Sequence, residues 1–131
     1  MVRTATTVLL ALLLAALLVT ATVHRRQQAQ FAAGEQGSRA GDFMMALTGY
    51  ESAIRMYLPF SDAMEQASER IWALGLVAER RSDVERALIA YRSLRSAWYG
   101  VCWLHQPGQR WIERCDTKIA ALAPLRKGAS P

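Results

Sequence analysis

The stretch GDFMMALTGYESAI, residues 41–54, returns in outline as SDVERALIAYRSLR, residues 82–95. In both, a small residue and an Asp precede an Ala-Leu pair and then a Tyr. Working outward, Gly34 and Gly75, Asp42 and Asp83, Ala46 and Ala87, Leu47 and Leu88, and Tyr50 and Tyr91 all stand 41 residues apart. A fixed period of this length marks repetition of one supersecondary unit, and it decides the fold before local propensities are weighed. Apolar residues recur every three or four positions within the copies, so the unit is helical.

The flanking sequence fits that frame. Met64, Ile71, Trp72 and Leu76 predict a helix over 61–80, and Val84, Leu88, Tyr91, Leu94 and Trp98 predict the next over 83–99. Asp42 and Asp83 are placed to cap second helices by accepting from free N–H groups. Between the copies, MYLPFSDAMEQ (56–66) carries Pro59 to stop one helix, and Asp62 with Glu65 to form a capping box for the following one. Gly100 and Pro107-Gly108 delimit a loop, after which Trp111, Cys115, Ile119 and Leu122 define the buried face of a last helix, about 109–123, before Pro124. The expected class is all-α: two helical hairpins, about 27–58 and 61–98, closed by a capping helix, with residues 125–131 a disordered tail.

Several of these residues together resemble the tetratricopeptide repeat, a helix-turn-helix unit. In the second copy Leu74-Gly75, Ala78, the turn Ser82-Asp83, Ala87 and Tyr91 are similar to the family's motif; in the first, Gly34, Gly41-Asp42, Ala46, Tyr50 and Ala53, with Pro59 near its closing proline. The resemblance covers about 27–98. It departs from the pattern at Gln30 and Ala33, at Leu94 in place of a closing Ala, and in a period longer than the family's. The resemblance implies that Gly34, Ala46, Tyr50, Ala53, Gly75, Ala87 and Tyr91 pack the repeats, and that the surface they build binds a protein partner rather than turning over a substrate. Two copies are fewer than usually stand alone, so packing on a partner or as a homo-oligomer is a further expectation.

Upstream lies a different kind of segment. Residues 4–23, TATTVLLALLLAALLVTATV, form an uncharged stretch of 20 residues with seven Leu and three Val. As a helix it would be roughly 30 Å long, the thickness of a bilayer's hydrocarbon core. We read residues 1–24 as a transmembrane anchor contacting lipid through 4–23; the alternative is a signal peptide removed after Val19-Thr20-Ala21. The polar run 24–40 holds no proline and can continue that helix, keeping the repeats close to the bilayer. Arg25 and Arg26 favour a cytoplasmic C-terminal side, whereas bacterial proteins resembling this one, with a short N-terminal tail, usually export the larger domain. A periplasmic domain is the expectation drawn from that resemblance.

Reactive chemistry is sparse. With two Cys and two His, the set Cys102, His105 and Cys115 offers three ligands where structural zinc sites need four. We therefore expect no metal, no cofactor and no enzymatic activity, and keep a tethered redox or metal-responsive protein using those three residues as the alternative function. A Cys102–Cys115 disulfide would suit an exported domain and be worth about 3 kcal/mol in the loop-entropy model; two separate thiols with Cys115 buried is the simpler reading. The segment 91–114 mixes Arg92, Arg95, Arg110 and Arg114 with Trp98, Tyr99, Trp103 and Trp111. Most of these aromatics are expected to close the core, with Arg92, Arg95, Trp103 and Arg110 the candidates for contacting a partner. Outside the anchor basic residues exceed acidic ones by only four, with acidic residues interspersed, which argues against nucleic acid; anionic headgroups suit Arg25 and Arg26 better.

Overall fold

The computed structural model describes residues 1–59, 61–102 and 104–126. The fold is all-helical: α1 (Val2–Arg39), α2 (Phe43–Arg55), α3 (Ala63–Arg80), α4 (Val84–Gly100) and α5 (Gln109–Leu122), followed by a 3₁₀ turn, Ala123–Leu125. Helix α1 packs on α2, α3 on α4, and the two hairpins meet mainly through α2 against α3 and α4, while α5 closes the far side of α4.

Nothing in 24–40 breaks a helix, and α1 runs unbroken for 38 residues, about 57 Å. Its first half stands clear of the rest, with an 18-residue window of mean hydropathy 2.4 and none of it buried. Length and composition thus permit this helix to cross a membrane, which makes the protein a candidate single-pass membrane protein. The span's threonines do not depend on headgroups or water, because Thr6, Thr7, Thr20 and Thr22 each donate to the carbonyl four residues back, at 2.6–2.9 Å. That removes the cost of carrying bare hydroxyls into hydrocarbon.

The second half of α1 is the first helix of a hairpin. Gly34 and Gly37 face α2, and Gly49 faces back. A Cβ added at Gly49 would lie 2.6 Å from the Gly34 Cα, and one at Gly37 would lie 2.8 Å from the Met45 carbonyl carbon. The helices therefore touch backbone to backbone. In the second hairpin only Gly75 has this role, and its neighbour is a side chain: an added Cβ would sit 2.6 Å from Tyr91 Cε1, just as one at Gly34 would sit 2.6 Å from Tyr50 Cδ1. Tyr50 and Tyr91 are almost wholly buried, and each leans on an aromatic ring from its hairpin's first helix: Phe31–Tyr50 at 5.5 Å and Trp72–Tyr91 at 4.9 Å between centroids. Burial of side chains of this size drives the hairpins together, at about 1.5–3 kcal/mol for each large apolar group.

The two inter-helix turns are built alike. Asp42 Oδ1 accepts from the Met45 N–H at 2.9 Å and Asp83 Oδ1 from the Arg86 N–H at 3.1 Å. The Asp42 N–H donates to the Gly37 carbonyl and the Asp83 N–H to that of Ala78, both at 2.9 Å. Each turn needs one residue of left-handed backbone: Gly41 (φ 73°) serves in the first, but Ser82 (φ 56°) in the second, where a side chain carries the strain that glycine avoids.

Two sequence expectations are corrected. The capping box of Asp62 and Glu65 does not form. Asp62 has helical backbone and no side-chain cap bond; instead Ser61 Oγ accepts from the Ala63 N–H at 3.3 Å. Ser61 is held there by donating to Gln27 Oε1 at 2.5 Å, and Glu65 is drawn away to Arg110 and to Trp111 Nε1, at 3.0 Å from the latter. Likewise the fold extends past 124: Leu125 completes the 3₁₀ turn and the Arg126 guanidinium pairs with Glu85 at 2.6 Å. Residues 127–131 of the expected tail lie outside the described residues.

Candidate functional site

The seven residues expected to pack the repeats, Gly34, Ala46, Tyr50, Ala53, Gly75, Ala87 and Tyr91, are all buried. They form a scaffold and present no side chain to solvent. What they leave open is a groove of about 330 Å³ between the α1–α2 turn, the outer face of α3 and the start of α4. Its apolar floor includes Phe43, Leu74 and Val77, and Val77 is 40 % exposed.

Arg70, Arg81 and Arg86 rim the groove against Asp42 and Asp83. Arg70 Nε pairs with Glu35 at 2.7 Å, and the Tyr50 hydroxyl donates to the same carboxylate at 2.8 Å. Burial, reinforced by the Glu35 bond, pushes the Tyr50 hydroxyl up to about 12, so it stays a donor. Arg86 lies 5.6 Å from the Phe43 ring centroid and within 3.5 Å of Asp83. Arg81 makes no ion pair among the described residues. The result is an apolar trough with a free guanidinium at its rim, a combination suited to a short segment carrying an apolar side chain and a carboxylate.

The Arg- and aromatic-rich stretch 91–114 resolves largely into internal structure. Trp98 is buried and donates from Nε1 to Ser68 Oγ at 3.0 Å. Trp111 is buried in the first turn of α5, with Arg114 stacked 4.2 Å from the Trp72 centroid and 4.7 Å from that of Trp111. Of the four candidates for partner contact, Arg95 pairs with Asp116 at 2.8 Å and ties α4 to α5, and Arg110 pairs with Glu65 and ties α5 to α3. Arg92 is exposed. Trp103 lies outside the described residues.

The three candidate ligands are not brought together. Cys102 and His105 are exposed on the loop after α4, whereas Cys115 is fully buried in α5 and both thiols are free. Among the described residues no group of three or more His, Cys, Asp or Glu side chains is arranged to hold a metal. Burial, and secondarily the Asp116 charge, pushes the Cys115 thiol up to about 12, which leaves it a protonated, unreactive core group.

Sequence reasoning missed the polar core. Gln27 and Ser68 are the buried polar side chains among the described residues. Gln27 Nε2 donates to the carbonyls of Ala53 and Met56 at 3.1 and 2.8 Å, satisfying the free end of α2. Ser68 Oγ donates to the Met64 carbonyl at 2.8 Å while accepting from Trp98. Both residues, like the pair Phe31 and Trp72, are 41 apart, so carrying the repeat register through every position would have found them. The groove residues Arg70, Val77, Arg81 and Arg86 carried no such signal, because solvent-facing positions of a helix follow no packing pattern. Compared with known proteins, this chain matches no family model, no curated protein and no solved structure.

Proposed function

We propose that the protein is a membrane-anchored, tetratricopeptide-like interaction scaffold that receives a segment of a protein partner in the groove between its hairpins. The observation that carries this reading is the groove itself, with Phe43, Leu74 and Val77 as its floor and Arg81 as its free charge. The resemblance of 27–98 to tetratricopeptide repeats and the 41-residue equivalence of the two hairpins support it. Cys102, His105 and Cys115 are not among the residues that line the groove, and Cys115 is buried in the core. In this reading the domain lies on the periplasmic side and assists assembly of a membrane or envelope complex.

Display selection of random peptides against the full chain in nanodiscs tests the reading. Selected peptides should share an apolar residue near an acidic group or free C-terminus, and Leu74→Arg or Arg81→Glu should abolish their binding. Selected peptides that bind both variants undiminished would place recognition elsewhere and refute the proposed site. A C-terminal alkaline phosphatase fusion should be active, whereas an inactive one with a fluorescent cytoplasmic counterpart would reverse the orientation.

A further inference from the structure

The end of the helical domain that faces the anchor has the surface chemistry of a bilayer interface. Four helical steps, about 6 Å of rise, separate the last apolar residue of the span, Val23, from Gln27. Gln27 in turn fixes the level of the α2–α3 joint through its bonds to Ala53, Met56 and Ser61. The end of α4 is held at the same level, because Arg55 donates to Ser96 Oγ at 3.4 Å and its guanidinium lies against Gly100. The loop that follows folds back beside α4, with Gln106 Nε2 donating to the Trp98 carbonyl at 2.9 Å. The described residues of two chain segments, 56–59 with 61 and 99–102 with 104–110, therefore sit one short helical step from the hydrocarbon boundary, on a rigid helix rather than a tether. The interfacial layer on each side of a bilayer is about 5–7 Å deep.

What those segments expose fits that layer. Tyr57 is 40 %, Tyr99 53 % and Leu104 85 % exposed. Neither segment contains a single Asp or Glu, while Arg25 and Arg26 stand exposed on α1 just before Gln27. Tyrosine at headgroup depth, an aliphatic side chain below it and arginines reaching phosphates is the composition of interfacial anchors. The opposite end of the domain, with Asp42, Arg80, Arg81, Asp83 and Glu85 around its turns, carries charges of both signs.

We infer that the end of the domain formed by residues 56–59, 99–102 and 104–110 docks on the bilayer in which α1 is anchored, with Tyr57, Tyr99 and Leu104 entering the interfacial layer, so that the domain stands on its lipid-facing end and turns its groove away from the membrane. This rests on the reading of 4–23 as a membrane span, and the test separates the two.

The full chain is placed in nanodiscs of phosphatidylcholine and phosphatidylglycerol and labelled with a polarity-sensitive fluorophore at one position at a time. The positions are the native Cys102, Met44→Cys at the far end, and Leu13→Cys in mid-span, the last two in a Cys102→Ser background. Quenching by iodide in water is compared with quenching by nitroxides on shallow or deep lipid positions. Leu13→Cys should respond to deep nitroxides, Met44→Cys to iodide alone, and Cys102 to shallow nitroxides with severalfold weaker iodide quenching than Met44→Cys. Unlabelled-face variants Tyr99→Asp with Leu104→Asp should restore iodide access at Cys102 with tryptophan emission of the fold unchanged. If Leu13→Cys is quenched from the lipid while Cys102 behaves as Met44→Cys, the docking is overturned and the span stands. Failure of deep nitroxides to quench Leu13→Cys overturns the span, and the docking with it. Protection of Cys102 from both iodide and lipid quenchers would mean that protein covers this face, which also overturns the proposal.

Discussion

Replacing Gly49 with Ala reverses a familiar expectation. In an exposed helix the change gains about 1 kcal/mol, because Ala is the better helix former. Gly49, however, is buried in α2 against the backbone of α1. Its new methyl would sit 2.4 Å from the Gly34 nitrogen, 2.6 Å from the Gly34 Cα and 2.9 Å from the Gln30 carbonyl oxygen, where ordinary contact begins at 3.4 Å. A flexible side chain could step aside; a helix backbone cannot, so α1 must retreat by roughly 1 Å. A gap of that order forfeits a quarter to a half of the dispersion energy along the contact, here the seam holding Ala46, Tyr50 and Ala53. Overpacking of this kind costs about 1–3 kcal/mol. Taking the upper value for an obstacle that cannot move, and subtracting the gain in propensity, leaves a loss of about 2 kcal/mol. For a domain of this size that lowers Tm by about 8–16 °C. Thermal unfolding of the full chain in detergent micelles, followed by tryptophan emission, measures it. Thr48→Ala, at the exposed neighbouring position in the same helix, serves as the control and should change Tm little. A Gly49→Ala protein as stable as the parent, or more so, would refute the backbone contact that defines the first hairpin.

Other outcomes follow from the same contacts. Ser82→Gly should stabilise the domain by about 0.5–1 kcal/mol, since Ser82 holds the left-handed backbone that its counterpart Gly41 adopts freely; denaturant midpoints for Ser82→Gly and Ser82→Ala separate this from loss of the hydroxyl, and an equal gain in both would contradict it. Burial works to raise the Glu79 carboxyl, but the Lys118 ammonium, at 2.8 Å, and the Tyr91 hydroxyl outweigh it and hold it below the ordinary 4.5. Its contribution is therefore present above that value and lost as pH falls through the folded-state pKa, so stability should drop below about pH 4.5 and Glu79→Gln should flatten that limb in urea titrations. In detergent micelles, with no bilayer for the domain to dock on, maleimide should label Cys102 promptly and Cys115 only on unfolding, because Cys115 is buried with its thiol raised to about 12; comparable rates at both would mean that α5 does not seal the core, and a change on adding reductant or chelator would revive the redox or metal alternative.

How far the sequence leads depends on whether a residue's neighbours are set by the repeat. Tyr50 and Tyr91, Gly34 and Gly75, and the two Asp caps are legible because identical packing twice over demands similar residues at one spacing. Gly41 and Ser82 show the limit, since one backbone conformation is met by two residue types. The capping box at Asp62 misleads because local chemistry is overruled across the chain: Gln27 holds Ser61 in the capping place, and α5 recruits Glu65. Arg95 and Arg110 are indistinguishable in sequence from free binding arginines, and only the position of α5 shows that Asp116 and Glu65 occupy them. The groove is the least legible feature. It arises from the angle between hairpins, set in part by the long α2–α3 joint, and no single residue encodes it.

Photocrosslinking in intact membranes tests the central claim, that this chain is a scaffold binding a partner between its hairpins. A photoreactive amino acid at Ala73 or Val77, both exposed at the groove, should yield a discrete adduct that disappears with Arg81→Glu, while the same probe at Glu113 or Thr117 on the exposed face of α5 yields none. Adducts of equal strength from both faces, or a groove adduct indifferent to Arg81→Glu, would contradict the account.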